Sequence, residues 1–164
     1  RSFGGAEQLF SSPCKQAGSL IDPARAMPEE VEKLAVQIGE SAGAQGFRGI
    51  AGLDIGLAQN GQIVVFDPNF RIASSTAQLL CHQSASSRAG LPASQSIQLT
   101  PAGSFSEMER KLRGPIADGW FIPTRLFNGE KHPLSGGKHI VTGFVLGKDR
   151  QSTSSAMQKL QDLF

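Results

Sequence analysis

The stretch Gly49-Ile50-Ala51-Gly52-Leu53-Asp54-Ile55-Gly56-Leu57-Ala58-Gln59-Asn60-Gly61-Gln62-Ile63-Val64-Val65-Phe66-Asp67-Pro68-Asn69-Phe70-Arg71 decides how this chain is read. Asn60-Gly61 between two apolar runs predicts a β-hairpin with strands near 48–58 and 62–67. Its two-residue loop would be a type I′ turn, which needs positive φ at both central positions. Counting back from that loop, Leu57 faces Val64, Ile55 faces Phe66, and Asp54 lies directly opposite Asp67. Carboxylates so placed have Cβ atoms about 4.5–5.5 Å apart and repel unless one is protonated or a cation sits between them. Asn69, two residues beyond Asp67, projects to the same face and adds an amide oxygen. Two carboxylates and an amide oxygen form a hard donor set suited to Mg²⁺ or Mn²⁺. Gly52, Gly56 and Ala58 keep bulk off the Asp54 face, whereas Leu53, Ile55, Leu57, Val64 and Phe66 load the other face for a core. The competing reading is a polar hairpin face that simply meets water.

On the N-terminal side, residues 1–21 carry short apolar pieces broken by Gly and Pro, which read as strands in need of a partner sheet. Pro28-Glu29-Glu30 opens a helix whose apolar stripe is Val31, Leu34, Ala35, Ile38 and Ala42, ended by Gly43 or Gly46. On the C-terminal side, Pro68 stops the strand, and Ser74-Ser75-Thr76 offer N-caps for a helix carrying Ala77, Leu79, Leu80 and Cys81. Residues 84–94, rich in Ser, Gly and Pro, read as a linker. A strand follows at 96–100, then a helix at 104–117 with Ser104 and Glu107 as a capping box. Residues 120–127 and 139–146 form a second hairpin across a Gly-rich loop containing Gly136-Gly137. A helix over 152–164 closes the chain. The order predicts an α+β fold: a mainly antiparallel sheet flanked by helices, placed on one face. The expected division is 1–90 as one lobe and 91–164 as an accessory α+β segment packed on it.

With 164 residues, 39% hydrophobic and 18% charged, the chain has the composition of a soluble globular domain. A net charge of +2 without a Lys/Arg run gives nucleic-acid binding no support. No apolar run approaches the roughly 18–20 residues that span a bilayer, so no membrane role is expected. Cys14 and Cys81 lack metal-ligand spacing and read as reduced thiols of a cytoplasmic protein. The chain opens at Arg1 without Met and is expected to be a fragment or a processed piece. His132 and His139 flank Gly136-Gly137 and lack an acid at ligand spacing; Trp120 and Phe121 read as core.

The series Gly49 to Asp54, the Asn60-Gly61 turn and Asp67-Pro68-Asn69-Phe70-Arg71 resemble the C-terminal metal-binding hairpin of ATP-grasp ligases. The Asp-Pro-Asn-Phe-Arg form most resembles the peptide ligases related to pheganomycin synthesis. Gly18-Ser19 ahead of the Pro/Glu-opened helix also looks like a feature of such enzymes. The resemblance covers about residues 16–80; 95–164 match no motif. It implies an ATP-grasp C-terminal lobe in which Asp54, Asp67 and Asn69 hold Mg²⁺ on ATP and Arg71 serves catalysis by binding a phosphate or carboxylate. Arg48 and the helix-start residues Ser74, Ser75 and Thr76 are further substrate or phosphate candidates, against the readings of a strand-edge Arg and of plain helix capping. Arg71 as a surface ion-pair arginine is equally open. Two positions depart from the family: Asp67 stands where Glu is usual, and Gly56 where a larger apolar residue often lies beneath adenine. The family's phosphate-contacting lysines and adenine-recognising acids lie N-terminal to the hairpin, so a missing N-terminal part is an expected partner.

The implied activity is ATP-dependent ligation of a small carboxylate to an amine through an acyl phosphate. The alternative is a non-catalytic ATP-grasp-like binding or interaction module; a third reading is a plain α+β domain with an acidic hairpin.

Overall fold

A computed structural model describes residues 2–164. The chain is α+β, and the described residues form a mainly antiparallel five-stranded sheet, a separate two-stranded hairpin and four α-helices. Strands β1 (Glu7–Ser12) and β2 (Lys15–Ile21) form the first hairpin, around a turn in which Cys14 takes φ +64°. Helix α1 (Glu29–Ala44) has three glutamates in its first turn, where the helix dipole favours anions. Gly46, not Gly43, ends it: at φ +96° it lets Phe47 N–H reach Ala42 O and Gly46 N–H reach Gly43 O, a Schellman closure. Strands β3 (Gly52–Leu57) and β4 (Ile63–Asn69) are the hairpin, and α2 (Thr76–Ala89) follows. Then come β5 (Ala93–Leu99), α3 (Phe105–Ala117), β6 (Phe121–Phe127), β7 (Ile140–Gly147) and α4 (Arg150–Gln161).

The sheet runs β1-β2-β5-β7-β6, every neighbour antiparallel, so strands from both sides of residue 90 share it. The core lies around β7. Val141 and Val145 pack with Ile97, Phe121, Met108 and Leu112 of α3 and Leu160 of α4, while Phe144 and Leu146 meet Ala85 of α2. Helices therefore cover both faces of this half of the sheet, not the single face expected. The reason is legible in β7, which is apolar at successive positions and buried on both sides.

Local chemistry explains three further differences. Residues 84–89 belong to α2 because Ala85 is buried against the sheet, leaving only Gly90 to Pro92 as the connection. Gly90, at φ +65°, terminates the helix. α4 begins before Ser152 because Asp149 caps it: Ser152 N–H donates to Asp149 Oδ1 at 2.7 Å and Asp149 N–H to Ser152 Oγ at 3.0 Å. In α3, Ser104 Oγ accepts Glu107 N–H at 3.2 Å, but the Glu107 carboxylate pairs with Lys111 instead of closing the box.

Helix α1 and the β3–β4 hairpin pack on the sheet far less than α2, α3 and α4 do. Of the α1 stripe only Val31 is buried. No helix among the described residues is long and apolar enough to cross a membrane. Cys14 and Cys81 are both free and exposed.

Candidate metal centre on the hairpin

The β3–β4 turn is one residue longer than the sequence suggests. Gly61 N–H donates to Ala58 O and Ala58 N–H to Gln62 O, each at 2.9 Å, so Gln59, Asn60 and Gly61 form a three-residue loop. Gly61 alone takes positive φ, at +83°, and Asn60 instead accepts Gln62 N–H at 3.0 Å through Oδ1. This is a turn followed by a glycine bulge, the other common hairpin closure. It moves the pairing by one: Leu57 faces Ile63, Gly56 faces Val64 and Ile55 faces Val65. A second bulge, at Phe66, then restores the count, so that Asp54 does lie opposite Asp67 and Gly52 opposite Asn69. The acidic pair stands on two compensating irregularities.

The bulge also redirects Phe66. A Cβ added to Gly56 would lie 2.5 Å from Phe66 Cε2, so the ring lies over Gly56 on the carboxylate face. The expected core face of the hairpin is correspondingly incomplete: Phe66 is 73% exposed and Leu57 56%. A bulge bends the strand and breaks the simple alternation on which that expectation rested.

Gln8 Nε2 of β1 donates to Asp54 Oδ1 at 2.9 Å. Asn69 Nδ2 donates to Asp67 Oδ2 at 2.9 Å, with a longer contact of 3.5 Å to the Asp67 carbonyl. Among the described residues neither carboxylate has an ion-pair partner. Asp54 Oδ2, Asp67 Oδ1 and Asn69 Oδ1 are left open to a ligand, three hard oxygens on one strand pair, which fits Mg²⁺ or Mn²⁺. No group of three or more His, Cys, Asp and Glu that could hold a metal occurs among the described residues. The hairpin offers two acids and an amide, and water or phosphate oxygens would have to complete the shell.

The remaining candidates have divided fates. Arg71 is exposed just past β4; its only side-chain hydrogen bond among the described residues, 3.4 Å to Ile72 O, is long and leaves the guanidinium available. Arg48 turns the other way, donating to Gly43 O and Phe47 O at 2.8 Å and capping the negative end of α1. Ser75 is the N-cap of α2 but makes no side-chain capping bond. Thr76 is buried, and its hydroxyl accepts Ala73 N–H at 2.9 Å, so it serves the turn. Ser74 is exposed. His139 is buried: Gly129 N–H donates to its Nδ1, which leaves Nε2–H to donate to Gly103 O at 3.1 Å and pin the Gly-rich loop. A groove of about 570 Å³ between Leu91, Trp120, Leu146, Lys148, Ala156 and Lys159 shares no residue with the hairpin and brings no reactive group to it.

Sequence reasoning missed Gln8 and Phe66. No local signal marks either, for one lies 46 positions away from its partner and the other depends on a bulge. No protein-family model matches the chain, and no curated protein matches it.

Proposed function

We propose that this chain is the C-terminal part of an ATP-grasp carboxylate-amine ligase, in the manner of the peptide ligases related to pheganomycin synthesis, and works in the cytoplasm. The observation that carries the reading is the pairing of Asp54 with Asp67, with Asn69 on the same face. The exposed Phe66 ring beside that pair supports it, because an aromatic face next to a cation site suits a nucleotide, whose base stacks while its phosphates meet the metal.

Asp54, Asp67 and Asn69 would hold Mg²⁺ or Mn²⁺, which when bound neutralises charge on the ATP phosphates. The carboxylate substrate attacks the γ-phosphorus and ADP departs, leaving an acyl phosphate. The amine nitrogen then attacks the acyl carbon, losing a proton, and phosphate leaves with formation of the amide. Arg71 suits the intermediate, since a planar guanidinium holds a phosphate through two parallel hydrogen bonds. Residues 1–90 constitute the ATP-grasp lobe in this reading, with 91–164 as the accessory segment. The phosphate lysines and adenine-contacting acids come from a preceding part of the protein.

A second reading, a binding module without turnover, draws on the local engagement of Arg48 and Thr76, two of the phosphate candidates. Mg²⁺-dependent ADP release by the complete protein with a carboxylate and an amine separates the two. Asp67→Asn is expected to lower it by roughly 10²-fold or more, the scale of losing an electrostatic transition-state contact. Turnover unchanged by that substitution overturns the ligase reading, and nucleotide binding without any turnover favours the module.

A further inference from the structure

We propose that the groove beside Trp120 is a binding site for a small amphiphilic carboxylate, a free molecule with an apolar body and a single carboxylate group. The groove encloses about 570 Å³, within the size range of small-molecule sites, and shares no residue with the hairpin, so the inference stands apart from the ligase reading. It opens where β6 begins and β7 ends, and Leu146 N–H donates to Trp120 O at 2.7 Å to hold these strand ends together. Gly147 lets β7 pass close under α4: a Cβ there would lie 2.6 Å from Thr153 N. Both core clusters come to the surface at this point. Trp120 and Ala156 pack on the cluster around Val141, and Leu91 packs on the one that holds Phe144 and Leu146. The groove therefore has a mainly apolar floor, which an apolar ligand body stabilises by covering it.

The polar groups of the lining decide the ligand's charge. Ser152, Ser155, Ala156 and Lys159 recur at i, i+3, i+4 and i+7, so one stripe of α4 forms a wall. Its hydroxyls are engaged within the helix: Ser152 Oγ accepts Asp149 N–H and donates to Asp149 O, each at 3.0 Å, and Ser155 Oγ donates to Gln151 O at 3.1 Å. Asp149, the one acid of the lining, accepts Ser152 N–H at 2.7 Å. Left for a ligand are Lys148, Lys159, the Trp120 indole N–H and the Gln151 amide. Neither lysine has an ion-pair partner among the described residues, and the indole N–H has no hydrogen bond among them. Three of these four groups only donate, so the polar end of a matching ligand must accept. Two ammonium groups against the single Asp149 carboxylate leave one surplus positive charge, which a monoanion neutralises. Lysine stems can lie along the apolar wall while their heads meet that anion, and the Trp120 ring gives the ligand body a flat face.

Trp120 is the only tryptophan of the chain, so its fluorescence reads the groove directly. The test titrates decanoate, kept below its micelle concentration, into the full chain, with decanol and decyltrimethylammonium as the neutral and cationic counterparts. A saturable change in Trp120 emission is expected with decanoate, and binding roughly tenfold weaker with decyltrimethylammonium, the scale of two partly exposed charge contacts. Replacing both lysines, Lys148→Gln with Lys159→Gln, should weaken decanoate by a similar factor and leave decanol unchanged. Ser155→Phe fills the groove from an exposed position and should remove the saturable change for every probe. Circular dichroism and urea midpoints check that the variants fold; the lysine pair, exposed on the surface, carries the test if Ser155→Phe does not. Decanol binding as tightly as decanoate, with no effect of the lysine substitutions, overturns the proposal and leaves a groove that recognises apolar bulk alone. A wild-type chain with no saturable response at millimolar decanoate overturns it too. So does a response to phosphatidylglycerol vesicles without one to free decanoate, which would make this face a membrane contact.

Discussion

The half of the molecule built on β5, β6 and β7 and the half built on β1, β2 and the β3–β4 hairpin are held together by different chemistry. In the first, Phe121, Phe144, Leu146, Met108 and Leu112 are almost wholly enclosed between helices. In the second, Leu57, Phe66, Phe70 and Ile72 face solvent, Leu20 of β2 is the one fully buried large apolar side chain on its described strands, and polar contacts tie β1 to the hairpin and β2 to β5. Burial of apolar area dominates folding free energy, so the first half stabilises the fold and the second is left free to present chemistry. The largest effect that would break this contrast is on stability. Phe121→Ala is expected to cost about 3–5 kcal/mol, as deleting a fully buried phenyl ring does. Phe66→Ala should stay within about 0.5 kcal/mol, as exposed positions do. Urea unfolding followed by circular dichroism measures both. Equal losses from the two would mean that the hairpin is part of the core after all.

Between the halves lies a seam of buried polar side chains. Gln78 Nε2 donates to Ser94 O at 3.1 Å and Ser94 Oγ at 2.9 Å, which leaves Gln78 Oε1 to accept the Ser19 hydroxyl at 2.6 Å. Ser19 having spent its proton, the 3.1 Å contact between the two hydroxyls must run from Ser96 to Ser19, while Ser96 Oγ also accepts Ser19 N–H at 2.7 Å. Gln78→Leu keeps the volume and strands these groups. A buried polar group without a partner costs about 1–3 kcal/mol, and that is the expected loss. Adding Ser94→Ala should recover part of it, because one orphan is removed; strictly additive losses in the double variant would show that the seam is not coupled.

The seam also marks where sequence reading stopped. The order of elements and the second hairpin are legible because periodicity and turn residues are local, and Asp149-x-x-Ser152 is an available cap signal whose cap residue lies three residues ahead of the expected helix start. Ser19, Gln78 and Ser94 could not be placed, since polar residues read as solvent-facing until a partner from a distant strand covers them. The simple two-residue turn predicts the acidic pair only because two register shifts cancel. The Asn60-Gly61 turn shifts the register by one and the Phe66 bulge shifts it back, and neither is visible in the alternation of the strands. Asp54, Asp67 and Asn69 were legible because the pairing survives this double slip. Gln8 was not, because it belongs to a different sheet.

The smallest expected effect is a pH dependence at the far end of the seam. His82 Nδ1 lies 2.9 Å from Ser94 Oγ, and burial lowers the His82 pKa below the ordinary value of 6.5. Because Ser94 Oγ already accepts from Gln78, its own proton is free for His82 Nδ1, an arrangement that only the neutral ring accepts. A lowered pKa means that the unfolded chain binds more protons than the folded one once pH falls below 6.5. Stability from this group is therefore full above pH 6.5 and declines as pH drops toward the lower folded value. His82→Gln should flatten that part of the curve. The loss belongs to a separate window from that of Asp149, whose carboxyl is held below 3.8 by the Ser152 backbone N–H at the start of α4. Urea midpoints taken from pH 8 down to 5 in wild type and His82→Gln measure the difference. A midpoint for the wild type that rises on acidification would reverse the sign and remove His82 from the seam.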